Sequence, residues 1–311
     1  MRIKTTGGYV EGFEENGLQN FLGIPYARAE RFQAPREINW EGVFQADAFG
    51  KKAVQSHPAQ ETQAGWEGRK EYGEDCLNLN IYVPARAALK ARREGRGLPV
   101  AVYIHGGAFQ NGSNRDRSGK QIIRDHSFIY VSINYRLGVL GYLYLGAALG
   151  EEYRGTGNNG TLDQLAALQW VHANIAAFGG DPNNITIMGQ SAGAMSVQQL
   201  VLSPITRGLF SKAVMSSGGG VSQMLTAKPA EAHYPFWKQV METAGCSTLA
   251  EFRALAPARL FAAWDAVRTQ PQFKGMGCEP VVDGRFQVKT GPETLAADEQ
   301  HHIPYLIGFT S

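Results

Sequence analysis

The run Gly189-Gln190-Ser191-Ala192-Gly193 isolates one serine between glycines two positions away on either side. It follows a short β-branched apolar stretch, Ile185 to Met188, and opens an amphipathic one, so the serine falls on a strand-to-helix corner. A corner that sharp strains the backbone at its tip, and side chains in place of the two glycines would strike the neighbouring strand and helix. The Ser191 hydroxyl then projects clear of the sheet as a candidate nucleophile. The amide of Ala192 lies at the N-terminus of the new helix, where unpaired N–H groups and the helix dipole favour a developing negative charge. Attack by a serine on an acyl carbon creates such a charge, so Ala192 supplies half of a candidate oxyanion hole.

The spacing alone carries little, because a glycine-rich chain of this length produces Gly-x-Ser-x-Gly by chance on the order of 0.2 times. An ordinary glycine-flanked turn with a surface serine is the plain alternative. Context separates the two. Pro99 to Ile104 reads as a buried strand and runs straight into His105-Gly106-Gly107-Ala108-Phe109, a glycine pair that exposes backbone amides at the strand's end. Gly106 and Gly107 are therefore the candidate second half of the oxyanion hole. Phe178-Gly179-Gly180-Asp181-Pro182-Asn183-Asn184 stops the preceding helix and turns the chain into the nucleophile's strand with the residues such turns require.

These segments resemble the type B carboxylesterases and the cholinesterase-like proteins of the α/β-hydrolase fold. Phe178-Gly179-Gly180 through Ile185, Ile187 and Gly189 to Ser191-Ala192-Gly193 is similar to that family's active-serine signature, and Glu74-Asp75-Cys76-Leu77-Asn78-Leu79-Asn80 to its second signature. Phe21-Leu22-Gly23-Ile24-Pro25-Tyr26-Ala27 with Arg31-Phe32 and Pro35 resembles the family's N-terminal strand region. Asn134-Tyr135-Arg136-Leu137-Gly138 and Asn159-Gly160-Thr161-Leu162-Asp163-Gln164 also fit, so the resemblance covers essentially the whole chain. It implies an α/β fold with a mostly parallel central sheet, helices on both faces, and a C-terminally incomplete single domain over 1–311.

The activity it implies is carboxylic ester hydrolysis through a serine nucleophile and an acyl-enzyme. A serine hydroxyl near neutral pH needs a histidine to take its proton and a carboxylate to hold that histidine's tautomer. In this fold the chain order is serine, acid, histidine. The family's acid follows the strand that corresponds to His302 through Phe309, so the acid is expected immediately beyond Ser311 and the histidine further on. The chain is accordingly expected to be a weakly active or inactive fragment, with a separate C-terminal fragment as a partner. A non-catalytic cholinesterase-like interaction protein and a serine amidase are the alternatives. Retention of Ser191 and the oxyanion glycines weighs against the first for the intact protein, though not for this fragment, and matched esters and amides separate the second.

Composition bounds the rest. A chain of 311 residues with 43% hydrophobic and 19% charged content is globular and has room for a large core. A net charge of +2 predicts no nucleic-acid partner. The basic run Arg86, Lys90, Arg92, Arg93, Arg96 reads as a solvated connector. No stretch reaches a membrane span's length, and no charged start leads into a signal-peptide core. The three cysteines, Cys76, Cys246 and Cys278, show no Cys-x-x-Cys spacing and read as reduced thiols of a cytoplasmic protein. Many secreted relatives pair the cysteine of the second signature with one upstream. Here Ala53-Val54-Gln55-Ser56-His57 contains none, so Cys76 is expected to be free.

No cofactor or metal is called for. Gly155-Thr156-Gly157-Asn158-Asn159-Gly160 matches a dinucleotide-binding spacing, but a polar loop precedes it instead of a strand. His301-His302 lacks zinc spacing and reads as a surface pair whose members point to opposite sides. His105 reads as a structural hydrogen-bonder beside the oxyanion glycines, and Ser217 as a turn residue or a contact of the site.

The elements that must position Ser191 follow from periodicity. Strands are expected at Leu79 to Val83, Val100 to Ile104, Phe128 to Tyr135, Ile185 to Met188, Lys212 to Ser216 and Ile303 to Phe309. The last would be an exposed apolar edge, prone to aggregation. A helix is expected from Thr161, boxed by Gln164, with an apolar stripe from Leu162 to Phe178. The nucleophile's helix should run from Ala192 to Leu202 and stop before Pro204. Val221 to Gln270 reads as a helical cap over the pocket, whose occupant is a small-molecule ester.

Overall fold

A computed structural model describes residues 1–55, 70–117, 119–146, 153, 155–220, 228–273 and 279–309. Among the described residues the central sheet has eight strands. In chain order these are β1 (Phe13–Glu15), β2 (Leu18–Pro25), β3 (Asn78–Pro84), β4 (Leu98–Ile104), β5 (Ile129–Ile133), β6 (Gly180–Gln190), β7 (Lys212–Ser216) and β8 (Tyr305–Gly308). Their order across the sheet is β8-β7-β6-β4-β5-β3-β2-β1. Strands β5, β4, β6, β7 and β8 are mutually parallel, and β3, β2 and β1 extend that block antiparallel. The expected architecture, a mostly parallel sheet flanked by helices, is the one observed.

The described residues form nine α-helices: α1 (Ala85–Arg93), α2 (Lys120–Asp125), α3 (Gly138–Tyr142), α4 (Asn159–Asn174), α5 (Ala192–Leu202), α6 (Tyr234–Thr243), α7 (Leu249–Ala254), α8 (Pro257–Arg268) and α9 (Gly291–Ala296). Strand alternation sorts the core into two clusters. Ile81, Val102, Ile104, Val131 and Ile187 join Leu168 of α4 and Val197 of α5 on one face. On the other, Tyr82, Tyr103 and Tyr130 pack with Ile123 of α2. Each such side chain fully withdrawn from water contributes roughly 1.5–3 kcal/mol, which is what holds the parallel strands between their helices.

The nucleophile's helix and strand β7 have the expected bounds, and the other expected strands are observed with shifted ends. Two readings of α4 need correction. Helix α4 does not start in a capping box at Thr161: it continues from a 3-10 turn at Thr156–Asn158, and the Asn159 amide bonds the Thr156 carbonyl. That turn satisfies the first amides, while Gln164 is drawn away to donate to Ser196 Oγ at 3.0 Å. Nor is α4 a single stripe, since Asn159, Thr161, Asp163, Gln164 and Asn174 are buried along with its apolar residues. The basic connector is solvated as expected, and part of it is helical: only Ala91 of α1 is buried, and just past that helix Glu94 pairs with Arg96 at 2.7 Å.

The region expected to be a cap contains α6, α7 and α8, while 221–227 lie outside the described residues. Arg31 ties this region to the second signature. Its Nε donates to Glu74 at 2.6 Å, and Nη1 donates to the Arg253 carbonyl at 2.7 Å and to the Leu255 carbonyl. At the far side of the sheet β8 pairs with β7 and leaves Leu306, Ile307 and Phe309 at least half exposed.

Candidate active site

The sheet order explains where Ser191 sits. Strand β6 runs between β4 and β7, so the residue that ends it is flanked by the ends of both neighbours. Ser191 occupies φ 56°, ψ −127° at the N-terminus of α5, a strained corner. Its amide donates to the Ser216 carbonyl at the end of β7 (2.9 Å), and its carbonyl accepts from Met195 in the first turn of α5 (3.0 Å). The flanking glycines are there because nothing larger fits. A Cβ on Gly193 would lie 2.2 Å from the Ile104 carbonyl oxygen, and one on Gly189 would lie 2.3 Å from the Gly193 carbonyl carbon.

On the β4 side, Gly106 lies against the same corner. A Cβ there would meet the Gln190 carbonyl oxygen at 2.5 Å and Ser191 Cβ at 3.3 Å. The chain then turns through Gly107, Ala108 and Phe109 at φ 109°, 55° and 58°. Gln110 and Asn111 both donate to the Gly107 carbonyl. Thus Ser191, Ala192, Gly106 and Gly107, proposed from sequence as one site, lie on adjoining segments. Backbone amides beside a serine nucleophile can stabilise the oxyanion that forms on the carbonyl oxygen of the acyl group it attacks.

His105 matches its structural reading. It is buried, its Nδ1 lies 2.8 Å from the Gly106 carbonyl, and it stacks on Tyr135 with ring centroids 4.3 Å apart. A carbonyl only accepts, so Nδ1 carries the proton. Burial lowers the pKa of this imidazole and favours the neutral ring, against that same hydrogen bond, which acts to raise it.

The remaining histidines are placed elsewhere. His301 is not on the surface as expected: it is buried beneath the end of α5, with Nε2 3.0 Å from the Ser203 carbonyl and its ring stacked on Phe210. Its neighbour His302 is exposed, 3.9 Å from Asp298. His233 approaches Glu279 at 3.7 Å, and His126 stacks on Phe128. His57 lies outside the described residues. Among the described residues no hydrogen bond joins a histidine to Ser191. Asp283, a carboxylate ahead of the last strand, is taken up by Asn158 and by the amides of Arg285, Phe286 and Gln287.

Two features at the site were not read from sequence. Gln198, on α5, exchanges two hydrogen bonds with the Gly220 backbone, at 2.7 and 2.6 Å, and so holds the glycine run after β7 against the nucleophile's helix. A glutamine two turns below a serine and a run of three glycines were the available signals. The second is the polar network behind the site. Asn114 donates through its amide to Asn134 Oδ1 (2.7 Å) and through its side chain to Asn78 Oδ1 (3.0 Å). Asn80 accepts from Gly23 at 2.9 Å. Arg136 meets Asp163 through Nε and Nη2 at 2.8 and 2.7 Å, both side chains buried. Cys76, free as expected, is buried nearby, and burial pushes its thiol well above the ordinary range.

A family model described as the carboxylesterase family matches residues 1–311. The para-nitrobenzyl esterase of Bacillus subtilis (strain 168) is 34% identical over 317 residues, covering 99% of this chain and 62% of that protein. The acylcarnitine hydrolase of Rattus norvegicus is 36% identical over 303 residues, covering 94% and 51%. Among solved structures, a Geobacillus stearothermophilus carboxylesterase superposes with a TM-score of 0.86 at 36% identity, over 100% of this chain and 61% of that one. The chain spans about half to three-fifths of the length of these relatives.

Proposed function

The chain belongs to the carboxylesterase family, and from that membership we propose that it hydrolyses small carboxylic esters with Ser191 as nucleophile. Ser191 Oγ bonds to the ester carbonyl carbon as its proton passes to a base, and the carbonyl oxygen becomes an oxyanion held by the amides of Gly106, Gly107 and Ala192. Collapse breaks the bond to the alkoxy oxygen, which leaves as the alcohol with a proton. Water then attacks the acyl-enzyme and releases the acid. Each amide contributes about 2.7–4 kcal/mol to the transition state on the scale of a single oxyanion donor. The observation that carries the reading is the strained Ser191 corner lying against Gly106.

Among the described residues no histidine is hydrogen-bonded to Ser191. The base and its carboxylate are therefore assigned outside the described residues, in length that the relatives have and the match does not reach. Residues 1–311 alone would then retain at most the ~10³–10⁴-fold advantage over water that an oxyanion hole and binding provide. Helices α6 to α8 are read as the cap of one domain. The free thiols of Cys76 and Cys246 support a reducing, cytoplasmic location. Among the described residues no helix is long and apolar enough to cross a membrane.

The test is fluorophosphonate labelling and p-nitrophenyl ester turnover by the full-length protein. Ser191→Ala is expected to abolish labelling and to reduce kcat by about 10⁶-fold. Undiminished turnover by that variant would sink the reading.

A further inference from the structure

Two successive peptide planes at the end of β4 are held from their carbonyl sides. In a trans peptide the C=O and the following N–H point in opposite directions across one rigid plane. Fixing the carbonyl therefore aims the next amide. The His105 carbonyl accepts a 2.8 Å hydrogen bond from the Tyr135 hydroxyl, and the amide sharing its plane is that of Gly106. The Gly106 carbonyl accepts from His105 Nδ1 at 2.8 Å, and the amide sharing its plane is that of Gly107. These are two of the three amides assigned to the oxyanion.

The anchors are fixed in their turn. The rings of Tyr135 and His105 stack at 4.3 Å with 18° between their planes, and both residues are buried. Strand register brings the two segments together: β5 pairs with β4 at Ile133 and Ile104, so Asn134 and Tyr135 leave β5 alongside His105 and Gly106. Packing alone would be served by phenylalanine. A buried hydroxyl is unfavourable unless bonded, and here its bond goes to the peptide that carries Gly106 N–H. Glycine lets that segment take many conformations, whereas an oxyanion donor works only when its direction is set before the charge forms.

We infer that Tyr135 is a positioning residue for ester hydrolysis: through the His105 carbonyl, and through the stack that keeps the His105 ring on the Gly106 carbonyl, it aims the Gly106 and Gly107 amides at the oxyanion. This rests on the esterase reading above. Tyr135→Phe in the full-length protein removes one oxygen and keeps the stack. We expect kcat to fall by about 10- to 100-fold, less than for an oxyanion donor removed outright, with KM within twofold. Affinity for an aryl trifluoromethyl ketone, which adds Ser191 to form a tetrahedral oxyanion, should weaken by the same factor. His105→Leu should lose kcat in the same way, while His105→Gln, which keeps a donor for the Gly106 carbonyl, should regain part of it.

Unchanged kcat and ketone affinity in Tyr135→Phe would overturn the inference, as would a loss confined to KM. Wild-type protein that neither turns over esters nor labels at Ser191 would overturn the esterase reading instead. A crystal structure of Tyr135→Phe decides the geometry independently of activity: a rotated His105–Gly106 peptide supports the inference, and an unmoved one overturns it.

Discussion

The Ser191 corner and the polar core behind it are built on opposite principles. At the corner almost every constraint is backbone against backbone: Gly189, Gly193 and Gly106 approach main-chain atoms so closely that a single added carbon would collide. Behind it the constraints are side-chain amides and one ion pair, with Asn78, Asn80, Asn114 and Asn134 lacing strands and loops together and Asp163 holding Arg136. Among the described residues the first arrangement leaves amides and a hydroxyl without a hydrogen-bond partner, which is what chemistry needs. The second commits its polar groups to one another, which suits a scaffold. Three consecutive residues join them. Asn134 enters the amide network, Tyr135 bonds the His105 carbonyl, and Arg136 forms the ion pair. A motif that looks uniform in sequence therefore serves both regions.

The largest expected effect lies in the scaffold. Burial acts against both charges of the Arg136–Asp163 pair, but the carboxylate beside it outweighs burial and raises Arg136 above its ordinary value. Asp163→Asn leaves a buried guanidinium short of its counter-charge and should destabilise by about 3–5 kcal/mol, with replacement of both partners by Met and Leu restoring much of it. Urea unfolding measures the loss. If the ester kcat per folded molecule falls with it, the separation between scaffold and corner is false.

At the corner, Gly193→Ala should cost about 3 kcal/mol, at the upper end for an overpacked site, because its Cβ would meet the Ile104 carbonyl and neither backbone can retreat. Gly155→Ala is the control. It belongs to a run with dinucleotide-like spacing, but a Cβ there has nothing within 4 Å, so its effect should stay within about 0.5 kcal/mol. Equal effects at the two glycines would mean that close approach is not what selects them.

The corner was legible in sequence because its cause is local. Strand, sharp turn, helix and glycine spacing all fall within a few residues, and the bounds of α5 follow from Ala192 and Pro204. The resemblance marked the Asn78–Asn80 and Asn134–Arg136 segments but not what they do, since their partners are tens of residues away. Gln164 illustrates the failure. Its spacing from Thr161 fits a capping box, but burial against Ser196 is a tertiary demand that no local pattern reveals. Short polar strands such as Arg2–Lys4 went unread because their alternation is too brief to stand out.

His301, buried where its sequence context suggests the surface, offers the smallest and cleanest test. It lies at the opposite end of α5 from Ser191, donating from Nε2 to the Ser203 carbonyl at 3.0 Å. A helix C-terminus would favour a protonated imidazole, but burial dominates and, with Arg207 nearby, lowers its pKa below the ordinary 6.5. The unfolded chain therefore takes up this proton as pH falls through about 6.5, while the folded chain takes it up only at lower pH. Between those two values the unfolded state binds more protons, so stability contributed here is intact above 6.5 and is lost as the solution is acidified. Burial lowers His105 in the same direction, so both ends of the scaffold share the acid sensitivity. His301→Gln keeps a donor for Ser203 and removes one titrating group. Urea midpoints measured from pH 7.5 down to 5 should decline less steeply in this variant than in wild type. An unaltered decline would assign the acid sensitivity to groups other than His301, and a change in the pH dependence of ester turnover would tie the two ends of α5 together.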